Sequence, residues 1–128
     1  MKNFLSIGAL SLFFLLTSIA LRAQDSKAYF VGQWNIVVKG TPEGDVVLHA
    51  LIESKEEKLS GSYVKEVNSK KEESVTMKSV EIKGQEVILA FSIAGYDVTM
   101  NLIKKDEDHA DGNMMGMFEC KGTKVKSK

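Results

Sequence analysis

The chain is poor in several residues that would otherwise limit the reading. Cys120 is its one cysteine, so no disulfide can form within it and burial alone must hold the fold together. Pro42 is the one proline. It stands in Gly40-Thr41-Pro42-Glu43-Gly44, where it presets a turn, and every strand-like segment keeps its ladder donors. Arg22 is the one arginine, and the formal charge is zero, which removes the electrostatic case for nucleic acid. There are two histidines, and there is no Gly-x-Ser-x-Gly elbow, His-Glu-x-x-His, Cys-x-x-Cys or phosphate loop. Catalysis therefore finds no support, and no cofactor or metal is expected.

What is present starts with a long apolar run. Met1-Lys2-Asn3 is a short basic start, Phe4 to Leu21 is nearly unbroken apolar sequence, and Arg22-Ala23 leads into polar Gln24-Asp25-Ser26. This has the layout of a signal peptide over residues 1–23, cleaved after Ala23 or, with Ser18 in the small position, after Ala20. A transmembrane anchor is the rival reading, because the run is just long enough to span. No cysteine follows either cleavage point, so the protein is not expected to be a lipoprotein. Cleavage after Ala23 leaves residues 24–128 as one domain, slightly acidic, in the periplasm or outside the cell, with no stable membrane insertion.

The mature part shows period-two alternation and no helical periodicity. Trp34, Ile36 and Val38 share one face of a first strand over 33–39, while Gln33, Asn35 and Lys39 share the other. Further strands are expected over 45–53, 59–64, 74–82, 87–93, 96–103, 110–115 and 117–125. The segment 45–53 is apolar on both faces. In 74–82 the alternation breaks between Met77 and Val80, which predicts a bulge near Lys78-Ser79. Gly116 marks either a turn or a bend in one long strand. Eight short strands joined by tight turns predict an all-β, antiparallel up-and-down meander that closes into a barrel or a two-sheet sandwich.

An internal echo points the same way. Gly44, Val47, Leu51, Ile52 and Gly61 recur as Gly95, Val98, Leu102, Ile103 and Gly112. It predicts that His49 faces the same side as Met100.

Gly32-Gln33-Trp34 on the first strand resembles the Gly-x-Trp signature of the calycins, which include lipocalins, fatty-acid-binding proteins and avidin-like barrels. The Thr41-Pro42-Glu43-Gly44 turn, the Leu59-Ser60-Gly61 strand and the closing Gly122-Thr123-Lys124-Val125 resemble the small secreted lipocalin-like domains of Bacteroidetes. The resemblance implies an eight-stranded barrel with Trp34 packed across one end. Where lipocalins often place an arginine of the last strand over that ring, Lys124 is the nearest equivalent.

A barrel of eight strands either fills its interior with side chains or leaves room for one small ligand. The inward set is expected to be Trp34, Ile36, Val38, Leu59, Tyr63, Met77, Val87, Leu89, Phe91, Val98, Met100 and Met114. Methionine suits an adaptable apolar pocket. The leading expectation is a non-enzymatic binder of a small apolar or amphipathic ligand, with Trp34, His49, Tyr63, Met77, Phe91 and Met100 as lumen candidates. The rival is an interaction module with a filled core that works through its loops or outer face, on a protein partner the sequence does not name. An enzyme using His49 and Tyr63 is a third, weaker idea. Cys120 reads as a small buried hydrophobe, and Asp106, Asp108, His109 and Asp111 read as a solvated charged turn.

Overall fold

Alternation along the first strand sets the inside of the fold. In β1 (Gly32–Thr41) Trp34, Ile36 and Val38 are buried, while Gln33, Asn35 and Lys39 face solvent. The computed structural model describes residues 26–126. After β1 come β2 (Gly44–Lys55), β3 (Lys58–Val67), β4 (Lys70–Lys71), β5 (Val75–Thr76), β6 (Ser79–Lys83), β7 (Glu86–Ile93), β8 (Tyr96–Lys104), β9 (His109–Met114) and β10 (Phe118–Lys124). The expected leader over 1–23 lies outside the described residues.

The protein is all-β, with a curled antiparallel half-barrel sheet of nine strands. The order is β4-β3-β2-β1-β10-β9-β8-β7-β6, and β5 pairs with β3 off this path. First and last long strands are therefore neighbours, in a register that runs from Trp34 opposite Lys124 to Val38 opposite Cys120. Residues 75–83 bridge the two ends of the sheet. Val75 and Thr76 pair with β3, and the Met77 N–H donates to the Gly61 carbonyl at 2.8 Å. The next N–H, of Lys78, donates to the Ala90 carbonyl of β7 at 2.7 Å, and β6 pairs with β7 from there on. This switch of partner is the physical cause of the broken alternation between Met77 and Val80.

The hairpin turns use the left-handed region that matches strand twist. Ala94 and Gly95 have φ of 52° and 83°, and Met115 and Gly116 have 58° and 69°. Met117 N–H closes the latter turn on the Met114 carbonyl at 3.1 Å, so Gly116 belongs to a true turn between two strands.

One expectation about facing is overturned. In β2 the buried residues are Val46, Leu48, Ala50 and Ile52, and His49 lies on the outer face. With both faces of β2 apolar, alternation could not choose between them. The pairing with β1 does, since Trp34 stands opposite Ala50 and Ile36 opposite Leu48, and directly opposed residues share a face. The echo fails for the same reason: Val98 and Leu102 are buried, but their counterparts Val47 and Leu51 are on the outer face.

One end of the sheet is sealed. A helical turn over 26–30 lays Tyr29 and Phe30 against Trp34. The Trp34 indole Nε1–H donates to the Phe30 carbonyl at 2.9 Å. The Tyr29 hydroxyl lies 2.6 Å from the Asp106 carbonyl and 2.7 Å from that of His109, which ties the turn to the β8–β9 loop.

Candidate functional site

Antiparallel connection puts alternate turns at the same end. The β1–β2, β7–β8 and β9–β10 turns therefore gather at the end remote from Trp34, and between them lies a half-open cavity of about 470 Å³. Val38, Val46, Val98 and Met114 form its buried wall, with half-buried Ile93 and Phe118 beside them. Its rim is apolar yet open to water: Tyr96 is 73% exposed, Met117 71% and Met115 50%. Met115 holds a left-handed backbone, at φ 58°, that Gly or Asn would adopt more readily.

One charged side chain is buried among the described residues, and it lines this cavity. Lys65 is 7% exposed. It continues the inward phase of β3 after Gly61 and Tyr63. Its Nζ donates to Glu43 Oε1 at 2.8 Å and lies 3.8 Å from Glu72 Oε2. The hydrogen bond to Glu43 raises the Lys65 pKa, against the opposing effect of burial, so the ammonium keeps its charge.

The residues favoured from sequence go elsewhere. Trp34 seals the far end. Tyr63, Met77, Phe91 and Met100 are all buried in the core. The Tyr63 and Phe91 rings pack at 4.8 Å, and the Tyr63 hydroxyl donates to the Ser92 carbonyl. Met77 covers Gly61 so closely that a Cβ there would meet its sulfur at 2.8 Å. None of these five lines the cavity at the mouth.

His49 stands on the outer face, its Nδ1 2.8 Å from Asn35 Oδ1 and its Nε2 2.8 Å from Glu66 Oε1. It borders a separate outer hollow, of about 420 Å³, with Gln33, Asn35 and Leu51. Tyr63 points into the core from the opposite face of the sheet, so the two cannot share an acid–base step.

The Asp106 carboxylate is taken up within its own turn. Its Oδ1 accepts the backbone N–H of Asp108 and of His109 at 2.9 Å each and lies 2.8 Å from His109 Nδ1. Those bonds, the one with the His109 side chain foremost, lower its pKa. Among the described residues no group of His, Cys, Asp and Glu is arranged to hold a metal ion. Cys120 is wholly buried, and desolvation, helped by Glu119, pushes its thiol pKa up to about 12. It behaves as a core hydrophobe.

The sequence reading missed Lys65 and the mouth. Two signals could have found them. Extending the alternation Leu59, Gly61, Tyr63 by one more step places Lys65 inside. And Met114-Met115-Gly116-Met117-Phe118 is an apolar hairpin tip, where polar residues are the rule.

The chain matches no family model, no curated protein and no solved structure.

Proposed function

We propose that the protein is an exported, non-enzymatic, lipocalin-like barrel that binds a small apolar or amphipathic molecule at its open mouth. The observation that carries this is the cavity of about 470 Å³ between the β1–β2, β7–β8 and β9–β10 turns, walled by Val38, Val46, Val98 and Met114. Its size is in the range of small-molecule sites, and its lining is mostly apolar with a few polar groups, Lys65 and Glu43 among them. The calycin-type reading counts β5 and β6 as one strand and β4 as a spur, which leaves eight. It draws support from the bridging of β3 and β7 by residues 75–83, and from Lys124 over the Trp34 ring at 6.0 Å. Export to the periplasm or beyond rests on the leader-like residues 1–23.

A neutral apolar fluorophore such as N-phenyl-1-naphthylamine tests the reading. Saturable binding of one molecule per chain is expected, and Val98→Phe, which narrows the cavity, should weaken it while the variant still unfolds cooperatively. No saturable binding by the wild-type protein would sink it. A second reading, a protein-interaction module with a filled core, is favoured by the rim itself: Tyr96 and Met117 offer large apolar side chains to solvent at one end of the molecule.

A further inference from the structure

The mouth cavity contains one feature that an apolar site does not need. Lys65 places an ammonium on the inward phase of β3, where burial of a charge is costly unless it is closely paired. An apolar side chain there would pack at lower cost, so the charge calls for a partner that is more than structural.

We propose that the cavity takes an amphipathic anion, a carboxylate on an apolar tail, that Lys65 holds the carboxylate, and that Glu43 occupies its place in the free protein. This rests on the mouth-binding reading above and adds the chemistry of the ligand to it.

Three observations carry the proposal. First, Glu43 is a partner that can leave. Its side chain is 53% exposed, and it stands in the β1–β2 turn. That turn is closed by other bonds: Thr41 Oγ1 donates to the Gly44 carbonyl at 2.5 Å and accepts the Glu43 N–H at 3.2 Å. Swinging the carboxylate into water therefore leaves the turn intact.

Second, the ammonium has spare capacity. It has three donors, and among the described residues its one hydrogen-bond acceptor is Glu43 Oε1. Glu72 Oε2, at 3.8 Å, pairs with it through charge alone.

Third, the other carboxylate at the mouth is already matched. Asp97 accepts from Lys78 Nζ at 2.5 Å and from Ser92 Oγ at 2.8 Å, and those bonds hold its pKa below the usual range. An incoming carboxylate thus meets a wall whose polar side chains are Lys65, the Glu43 it displaces, Thr41 and the already paired Asp97. The tail lies against Val98, Met114 and Phe118, where flexible Met114 adjusts to its shape.

The test compares decanoate with decan-1-ol, both below their aggregation limits, by isothermal titration at neutral pH. Decanoate should bind about ten- to a hundredfold more tightly, as befits a hydrogen bond to a charged group. Lys65→Met should erase that preference by weakening decanoate while leaving the alcohol within about threefold, since Met keeps most of the apolar stem. Glu43→Gln should tighten decanoate and leave the alcohol unchanged. Equal affinity for acid and alcohol in the wild type would overturn the carboxylate role while leaving the apolar site standing. Failure of both to bind would overturn the mouth reading and this one with it. Should Lys65→Met not fold, Glu43→Gln decides, and decanoate affinity that does not rise in it overturns the proposal.

Discussion

Lys124 Nζ, on the last strand, donates to the backbone carbonyl of Tyr29 at 2.6 Å, across 95 positions of sequence. The same ammonium lies 5.3 Å from the centre of the Tyr29 ring and 6.0 Å from that of Trp34. One side chain thus ties β10 to the helical turn and covers the tryptophan that seals the closed end. Lys124→Met keeps the stem and removes the bond, and should cost about 1–2 kcal/mol. Urea unfolding should show a lower midpoint with an unchanged slope. Lys124→Arg should recover most of the loss, since its guanidinium can reach the same carbonyl and lie over the same rings.

Trp34 is the single tryptophan and is 1% exposed. Its emission should be blue-shifted and resist quenching by acrylamide until the protein unfolds. The cavity lies at the other end of the sheet, so a ligand bound there should leave that emission nearly unchanged. A large spectral change on binding would place the ligand in the interior beside Trp34 instead.

Gly112 on β9 has no room for a side chain. A Cβ there would lie 1.7 Å from the Asn101 carbonyl oxygen and 3.0 Å from the Leu102 Cα, and backbone cannot move aside as a flexible side chain can. Gly112→Ala should therefore force β8 and β9 apart and cost at least about 1–3 kcal/mol, the usual range for overpacking. Thermal unfolding of the variant beside the wild type measures it.

Stability should fall at alkaline pH. Burial, then Asp106, Asp108 and Asp111, push the Tyr29 hydroxyl up to about 12 from 10.0, and burial followed by Glu119 pushes the Cys120 thiol up to about 12 from 9.0. Between roughly pH 9 and 12 the unfolded chain releases both protons while the folded protein retains them. The stabilisation is complete below the ordinary values of these groups and declines as pH rises towards 12. Cys120→Ala should flatten the lower part of that decline, though it also leaves a small cavity. A thiol reagent should label Cys120 at pH 8 only as the protein unfolds.

Strand positions were legible because alternation is local. The segments read as 33–39, 87–93 and 96–103 fall within β1, β7 and β8, since each carries an unbroken alternate row of large apolar residues, such as Val87, Leu89, Phe91 and Ile93, and a slip of one residue would expose that row. The break near Lys78 was legible as well, but its cause was not. That one N–H pairs with β3 and the next with β7 is a fact about two distant strands.

Residues 45–53 mark the limit of this reading. They carry apolar side chains on both faces, so the composition of the segment announced a strand and left its inward side open. Pairing with β1 settled that side and put His49 outside.

The sequence by itself determined an all-β chain with turns at Gly and Pro, a tryptophan-bearing first strand and no internal disulfide, because backbone preference and alternation act over a few residues. Only the tertiary structure decided which end is sealed and which is open, because that depends on chain ends meeting across the fold, as Tyr29, Trp34 and Lys124 do. It also decided the character of Lys65. In the sequence Lys65 is one lysine among many, and its burial beside Glu43 arises only when the β1–β2 turn lies against the end of β3.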